Sequence, residues 1–63
     1  MQLPNAVLSK ADLSGSNLIN ANMNSSDLSD SFLYSANLSQ AQLNGTNLQN
    51  AYLSKAMMYG VSM

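Results

Sequence analysis

The sequence repeats itself every five residues, and this period constrains the fold more than any other feature. Every fifth residue from position 3 is Leu or Met, and no Leu lies outside this register. This central column comprises Leu3, Leu8, Leu13, Leu18, Met23, Leu28, Leu33, Leu38, Leu43, Leu48, Leu53, Met58 and Met63. The residues two places earlier are all small or β-branched, from Ala6 to Val61. The residue between the two columns is mostly Asn, Asp or Gln.

A period of five fits neither an amphipathic helix nor a single strand. At about 100° per residue, the central residues would spiral around a helix. In a strand, where side chains alternate with period two, successive central residues would face opposite sides. The pattern is typical of a chain that turns a corner in each repeat and keeps both columns inside. Because no insertion shifts the phase, the six-residue left-handed β-helix is excluded as well.

The repeat unit resembles that of the pentapeptide-repeat family, which runs small, Asp/Asn, Leu/Phe, polar and often Gly. The units that carry the resemblance include Ala11-Asp12-Leu13-Ser14-Gly15, Ser16-Asn17-Leu18, Ala36-Asn37-Leu38-Ser39 and Thr46-Asn47-Leu48. The resemblance covers the whole chain, in about twelve repeats. It implies an all-β fold, a right-handed quadrilateral β-helix with four repeats in each coil and about three coils. Residues 1–63 would form one solenoid without separate caps, in which Asp12 and Asp27 face outward and bond the backbone at corners.

Composition argues against several function classes. The chain has no Cys and no His, which removes thiolate zinc sites, Cys nucleophiles and His bases. Two Lys and three Asp leave a net charge of −1, without the basic patch that a nucleic-acid partner requires. A convex solenoid offers no cleft in which two carboxylates could converge for acid–base chemistry. We therefore predict no catalytic residues, no cofactor, no metal and no nucleic-acid partner.

The hydropathy pattern contains no segment that would enter a membrane. No apolar run approaches the roughly 18 residues of a spanning helix. The first four residues, Met1-Gln2-Leu3-Pro4, lack the basic segment and apolar stretch of a signal peptide. We expect no membrane partner, and a location in the cytoplasm or within a larger particle.

Aromatic residues occupy outward positions of the repeat. Phe32 and Tyr52 stand where Asn or Asp is usual, four repeats apart, and should therefore stack on one outer face. Tyr34 lies on the same face, and Met57 and Tyr59 lie around the next corner. Such a stack either stabilises neighbouring coils or forms an interaction patch, and the sequence leaves both open.

The last residues of the chain form its most apolar stretch, and no capping segment is visible at either end. Repeat arrays normally need caps over their terminal units. We expect either a longer array or a partner that covers the ends. The candidate interaction residues are therefore Phe32, Tyr34, Tyr52, Leu53, Met57, Met58, Tyr59, Val61 and Met63.

These observations favour a non-catalytic structural or protein-interaction module that self-associates or docks into a larger assembly. The alternative implied by the family resemblance is inhibition of DNA gyrase by mimicry of duplex DNA, which calls for a longer and more acidic rod. A third possibility is binding to ice or another crystal surface. It would require regular Thr ladders, whereas the single Thr, Thr46, falls in an inward column. Enzymatic activity ranks last.

The register makes a direct prediction about Leu33, which should lie inside the solenoid. The substitution Leu33→Asp would bury an unpaired charge and should prevent folding. Circular dichroism and thermal melting would measure this. A variant with the wild-type spectrum and melting curve would show that the assignment of the central column is wrong.

Overall fold

The computed structural model describes residues 2–63, which stack in layers joined by parallel β-bridges. Each bridge joins two residues four repeats apart, and the full set is Gln2–Asn22, Val7–Asp27, Asp12–Phe32, Asn17–Asn37, Asn22–Gln42, Asp27–Asn47, Phe32–Tyr52, Asn37–Met57 and Gln42–Ser62. We name residues 2–21, 22–41 and 42–61 the first, second and third layers. Every bridge is a single residue long, so residues 2–63 contain no longer strand and no helix. The predicted stacking of residues four repeats apart is confirmed.

Backbone hydrogen bonds connect each layer to the next on both sides of a bridge. In the bridge between Val7 and Asp27, for example, the Leu8 N–H donates to the Asp27 carbonyl at 2.8 Å, and the Asp27 N–H donates to the Ala6 carbonyl at 2.9 Å. This is the pattern of parallel strands. The chain extends 23 × 23 × 16 Å, which matches a flat stack of layers at strand spacing, about 4.8 Å.

A two-residue turn follows every central residue and makes the corners. The second turn residue has positive φ in every repeat, from 58° to 73°, whereas the first does not. This combination defines a type II turn, in which Pro4 suits the first position. Gly15, Gly45 and Gly60 adopt the left-handed conformation without steric cost, but nine other repeats hold a non-glycine residue there. Four such turns in each layer give it four sides.

The interior holds the two predicted columns. In the second layer, Met23, Leu28, Leu33 and Leu38 are completely buried, since a layer lies on each side of them. Most central residues of the first and third layers are partly buried and pack against this core: Leu3, Leu8, Leu13, Leu48, Leu53 and Met58. The other two, Leu18 and Leu43, are buried and belong to the core. The predicted interior position of Leu33 is confirmed.

Hydroxyl groups in the small column bond to the layer below. Ser26 Oγ donates to the Leu3 carbonyl at 2.6 Å, and Thr46 Oγ1 donates to the Met23 carbonyl at 2.6 Å. Ser31, in the next repeat after Ser26, is completely buried, yet its Oγ has no partner among residues 2–63. A buried hydroxyl without a partner has lost its hydration without compensation.

This difference between two buried serines predicts opposite effects of the same substitution. Ser26→Ala removes a hydroxyl that donates to the Leu3 carbonyl and accepts the Ala6 N–H, and it should lower the free energy of unfolding by about 1 kcal/mol or more. Ser31→Ala removes an uncompensated hydroxyl and should be neutral or stabilising. Urea denaturation of the two variants measures both values. Equal destabilisation by the two substitutions would mean that the Ser31 hydroxyl is bonded in solution.

Candidate interaction surface

The bridged residues point outward, and at six of these positions the side chain bonds its own backbone. An Asp or Asn oxygen accepts the N–H of the residue two places on, at 3.0–3.2 Å, in Asp12, Asn17, Asn22, Asp27, Asn37 and Asn47. This local bond favours the turn that follows. The prediction that Asp12 and Asp27 bond the backbone at corners is confirmed.

These hydrogen bonds also lower the pKa values of the two aspartates. The Ser14 N–H, donating to Asp12 Oδ1 at 3.1 Å, holds the pKa of Asp12 below its ordinary value near 3.8. For Asp27 the largest cause of a lowered pKa is the Ser29 hydroxyl, which donates to Oδ1 at 2.7 Å; the Ser29 N–H adds to it. Donors favour the charged carboxylate over the neutral acid. Both carboxyl groups therefore act as fixed acceptors at neutral pH.

A pH dependence of stability follows. A carboxyl group with a lowered folded-state pKa stabilises the fold above its unfolded pKa, and this contribution is lost as the pH falls through the folded value. The melting temperature should therefore drop on acidification below about pH 4. The double variant Asp12→Asn/Asp27→Asn keeps the acceptor oxygens, as Asn17 and Asn37 do, and should show a smaller drop. Thermal melts from pH 7 to pH 2 measure it. An unchanged acid transition in the double variant would contradict the assignment.

Four other bridged positions carry apolar side chains that cannot accept this local bond. They are Val7, Phe32, Tyr52 and Met57. These four residues therefore lack the local hydrogen bond that Asp and Asn form with the turn backbone in other repeats. Positions that break a local rule of the fold are candidates for function. Two of the four, Phe32 and Tyr52, are bridged to each other.

Three aromatic rings gather on one side of the solenoid, which we name the aromatic face: the outward residues of 11–15, 31–35 and 51–55. The Phe32 and Tyr52 ring centroids lie 4.8 Å apart with an interplanar angle of 21°. Tyr34 lies 6.1 Å from Phe32 and 5.7 Å from Tyr52. The predicted stack, with Tyr34 on the same face, is confirmed. Tyr34 and Tyr52 remain 39% and 46% exposed.

The orientation of these rings limits what they can bind. Phe32 and Tyr52 stack on each other at the layer spacing, so they present ring edges to solvent and keep their facing surfaces for one another. Exposed aromatic edges beside tyrosine hydroxyls fit the mixed apolar and polar surface of a protein partner.

The other predicted interaction residues do not form one patch with these rings. Met57 and Tyr59, which are 42% and 74% exposed, lie on the next side of the solenoid, residues 16–20, 36–40 and 56–60. Leu53, Met58 and Val61 pack against the core and are only partly accessible. Met63 is 72% exposed. The aromatic face is therefore the only group among the predicted residues whose rings contact one another in residues 2–63.

Two exposed apolar residues, Val7 and Ile19, are not among the predicted interaction residues. Val7 is 80% exposed and stands in the outward column of Asp27 and Asn47. The same register that placed Phe32 and Tyr52 outward places Val7 there. The outward position of Val7 could be predicted from the sequence, but the other outward residues on its side of the first layer, Ser9 and Lys10, are polar.

The described part of the chain has no cavity of ligand-binding size and no cluster of acidic side chains suited to a metal ion. Within residues 2–63 no helix has the length and apolar character needed to cross a membrane.

Comparisons with known proteins agree with the geometry. The family model described as Pentapeptide repeats matches residues 2–30 and 31–63, in 8 copies. The fold is similar to the crystal structure of a pentapeptide repeat protein from the cyanobacterium Cyanothece 51142, with 31% sequence identity and a TM-score of 0.58. That match covers 97% of this chain and 46% of the other, so this chain spans less than half of its length. No curated protein matches the sequence.

Proposed function

The chain belongs to the pentapeptide-repeat family, and we propose that it is a non-catalytic interaction module that binds a protein surface through its aromatic face. The observation that carries the proposal is the cluster of Phe32, Tyr34 and Tyr52, three rings with centroids within 6.1 Å of one another on one side of the solenoid. Tyrosine and phenylalanine are enriched at the centres of protein interfaces.

The fold behind this surface is a right-handed, four-sided β-helix of about three coils. The bridges between residues four repeats apart and the four turns in each layer support the four-sided coil. Membership of the family supports the right hand. A solenoid of this kind holds its side chains on a rigid backbone lattice, which lowers the ordering cost of binding.

Two features of the aromatic face support a binding role beyond layer stacking. Tyr34 stands between Ser14 and Ser54 in its own column, so no aromatic ring lies above or below it in that column. Its position therefore adds apolar surface to the face without extending the bridged stack. Phe32 and Tyr52 also replace residues that elsewhere in this chain bond the backbone, as Asp12 does in the layer below.

Mimicry of duplex DNA is disfavoured by charge. Duplex DNA carries one negative charge per about 1.7 Å, or about nine over a length of 16 Å. The chain has three Asp and two Lys in total. Binding to ice is disfavoured because Thr46, the single Thr, turns its hydroxyl into the solenoid to bond the Met23 carbonyl.

The proposal is tested with a variant that returns the aromatic face to the pattern of the other sides. Phe32→Asn, Tyr34→Ser and Tyr52→Asn place residues there that this chain already holds at equivalent positions, so the fold should be retained. We expect the immobilised wild-type chain to capture a defined protein from its source cells and the triple variant to lose at least about 90% of it, since the aromatic centre dominates interface energy. Quantitative mass spectrometry measures the capture.

The matched control is Asn17→Ala/Asn47→Ala, which alters outward positions on two other sides of the solenoid. Circular dichroism first establishes that every variant is folded. Equal capture by the wild-type chain and the folded triple variant would refute an interaction role for this face. Loss of capture in the control alone would assign binding to another side.

A further inference from the structure

We propose that the aromatic face binds the same face of a second copy of this chain, in an antiparallel two-fold dimer held in register by Asp12 and Lys55. The inference rests on the proposed function, since it names the partner of that face. The juxtaposition that carries it is a central cluster of Phe32, Tyr34 and Tyr52 with one carboxylate and one ammonium group at diagonally opposite edges.

The charges around the aromatic face are placed unevenly. Asp12 lies below Phe32 in the first layer, and Lys55 lies at the corner that ends the face in the third layer. Both are exposed. Two layer spacings, about 10 Å, separate their rows, so the two side chains flank the rings at opposite ends and different columns of the face. Neither side chain has an opposite charge in its own column, because Asp12 shares its column with Phe32 and Tyr52, and Lys55 shares its column with Gly15 and Ser35.

The remaining charges do not disturb this arrangement. Lys10 and Asp30 stack one above the other at the opposite corner of the face, because positions four repeats apart share a column. Opposite charges in one column offset each other locally. Asp27 lies on a different side of the solenoid. Asp12 and Lys55 are therefore the two opposite charges of this face that do not share a column.

A two-fold axis makes the face complementary to itself. When the axis lies in the plane of the face and crosses the line from Asp12 to Lys55 at its midpoint, at a right angle, it exchanges the two positions. Each Asp12 then faces Lys55 of the other copy, twice per dimer, as an isologous interface requires. The midpoint falls in the second layer, beside Phe32 and Tyr34. The aromatic clusters of the two copies therefore meet at the centre, and the ion pairs lie at the rim.

The size of the face predicts a transient association. A side of at most 23 by 16 Å offers under about 400 Å² per copy, about half of the roughly 800 Å² per partner of a standard stable interface. The dimer should therefore form only at high protein concentration. In such a weak dimer, the two ion pairs that set the register contribute a larger share of the binding free energy than they would in a larger interface.

Charge reversal tests the arrangement directly. Asp12→Lys alone, or Lys55→Asp alone, turns two attractive pairs into two repulsive pairs and should weaken dimerisation about tenfold. The double variant Asp12→Lys/Lys55→Asp restores two attractive pairs and should recover the wild-type constant. Mixing the two single variants should form a heterodimer more readily than either forms a homodimer. Sedimentation equilibrium at low salt, from micromolar to millimolar protein, measures each constant.

The matched control is Asp27→Lys, which makes the same charge change at an aspartate that also bonds a serine two residues on, but outside the aromatic face. It should dimerise like the wild-type chain. Concentration-dependent NMR shifts should centre on the Tyr34 and Tyr52 rings. Circular dichroism confirms that each variant is folded before its association is compared.

The outcomes separate this inference from the proposed function. A chain that stays monomeric at millimolar concentration refutes the dimer; the proposed function survives if the triple aromatic variant still loses a captured protein. Dimerisation that is equally insensitive to Asp12→Lys, Lys55→Asp and the mixture refutes the antiparallel register. Weakening by the single variants with recovery in the double variant supports it.

Discussion

The structure depends on a backbone turn that recurs in every repeat and is stacked on the turn four repeats later. In each turn the second residue adopts positive φ, and in the first two layers its N–H bonds a carbonyl of the next layer, as Lys10 bonds Ser29 at 2.9 Å. Nine non-glycine residues accept this left-handed conformation, which is unfavourable for each of them alone. The inter-layer hydrogen bonds and the buried central column hold them there. Because every repeat keeps the same length, each side chain lies directly over its register mate.

This coupling explains the gradient of burial through the stack. Leu33 is completely buried because Leu13 lies on one side of it and Leu53 on the other, while those two residues remain partly accessible. In a repeat protein each unit is stabilised by its neighbours rather than by a shared centre. The layer in the middle therefore contributes the most buried surface, and a residue has the same environment as its register mate only when both have neighbours on two sides.

Sequence periodicity predicted contacts here with unusual detail, because in a stacked solenoid the register is itself a contact map. The ring stack of Phe32 on Tyr52 follows from their separation of four repeats alone. Periodicity carried no information on side-chain torsion, so it could not distinguish Ser26, which bonds Leu3, from Ser31, which has no partner in residues 2–63. Leu53, Met58 and Val61 were predicted as contacts at the C-terminal end of the stack; the structure packs all three against the core and leaves them partly buried.

The aromatic cluster combines a structural role with surface that stacking does not require. Phe32 and Tyr52 replace local backbone bonds with ring contact between layers, and cross-strand aromatic pairs of this kind stabilise sheets. That exchange explains two of the three rings. Tyr34 has serines above and below it and leans on both neighbouring rings while 39% of it stays exposed. The contact between Tyr34 and Tyr52 crosses from the second layer to the third, so part of the Tyr34 ring also reinforces the stack. The exposed part of the ring is the surface that the proposed interaction would use, which makes Tyr34 the residue with which to separate the two roles.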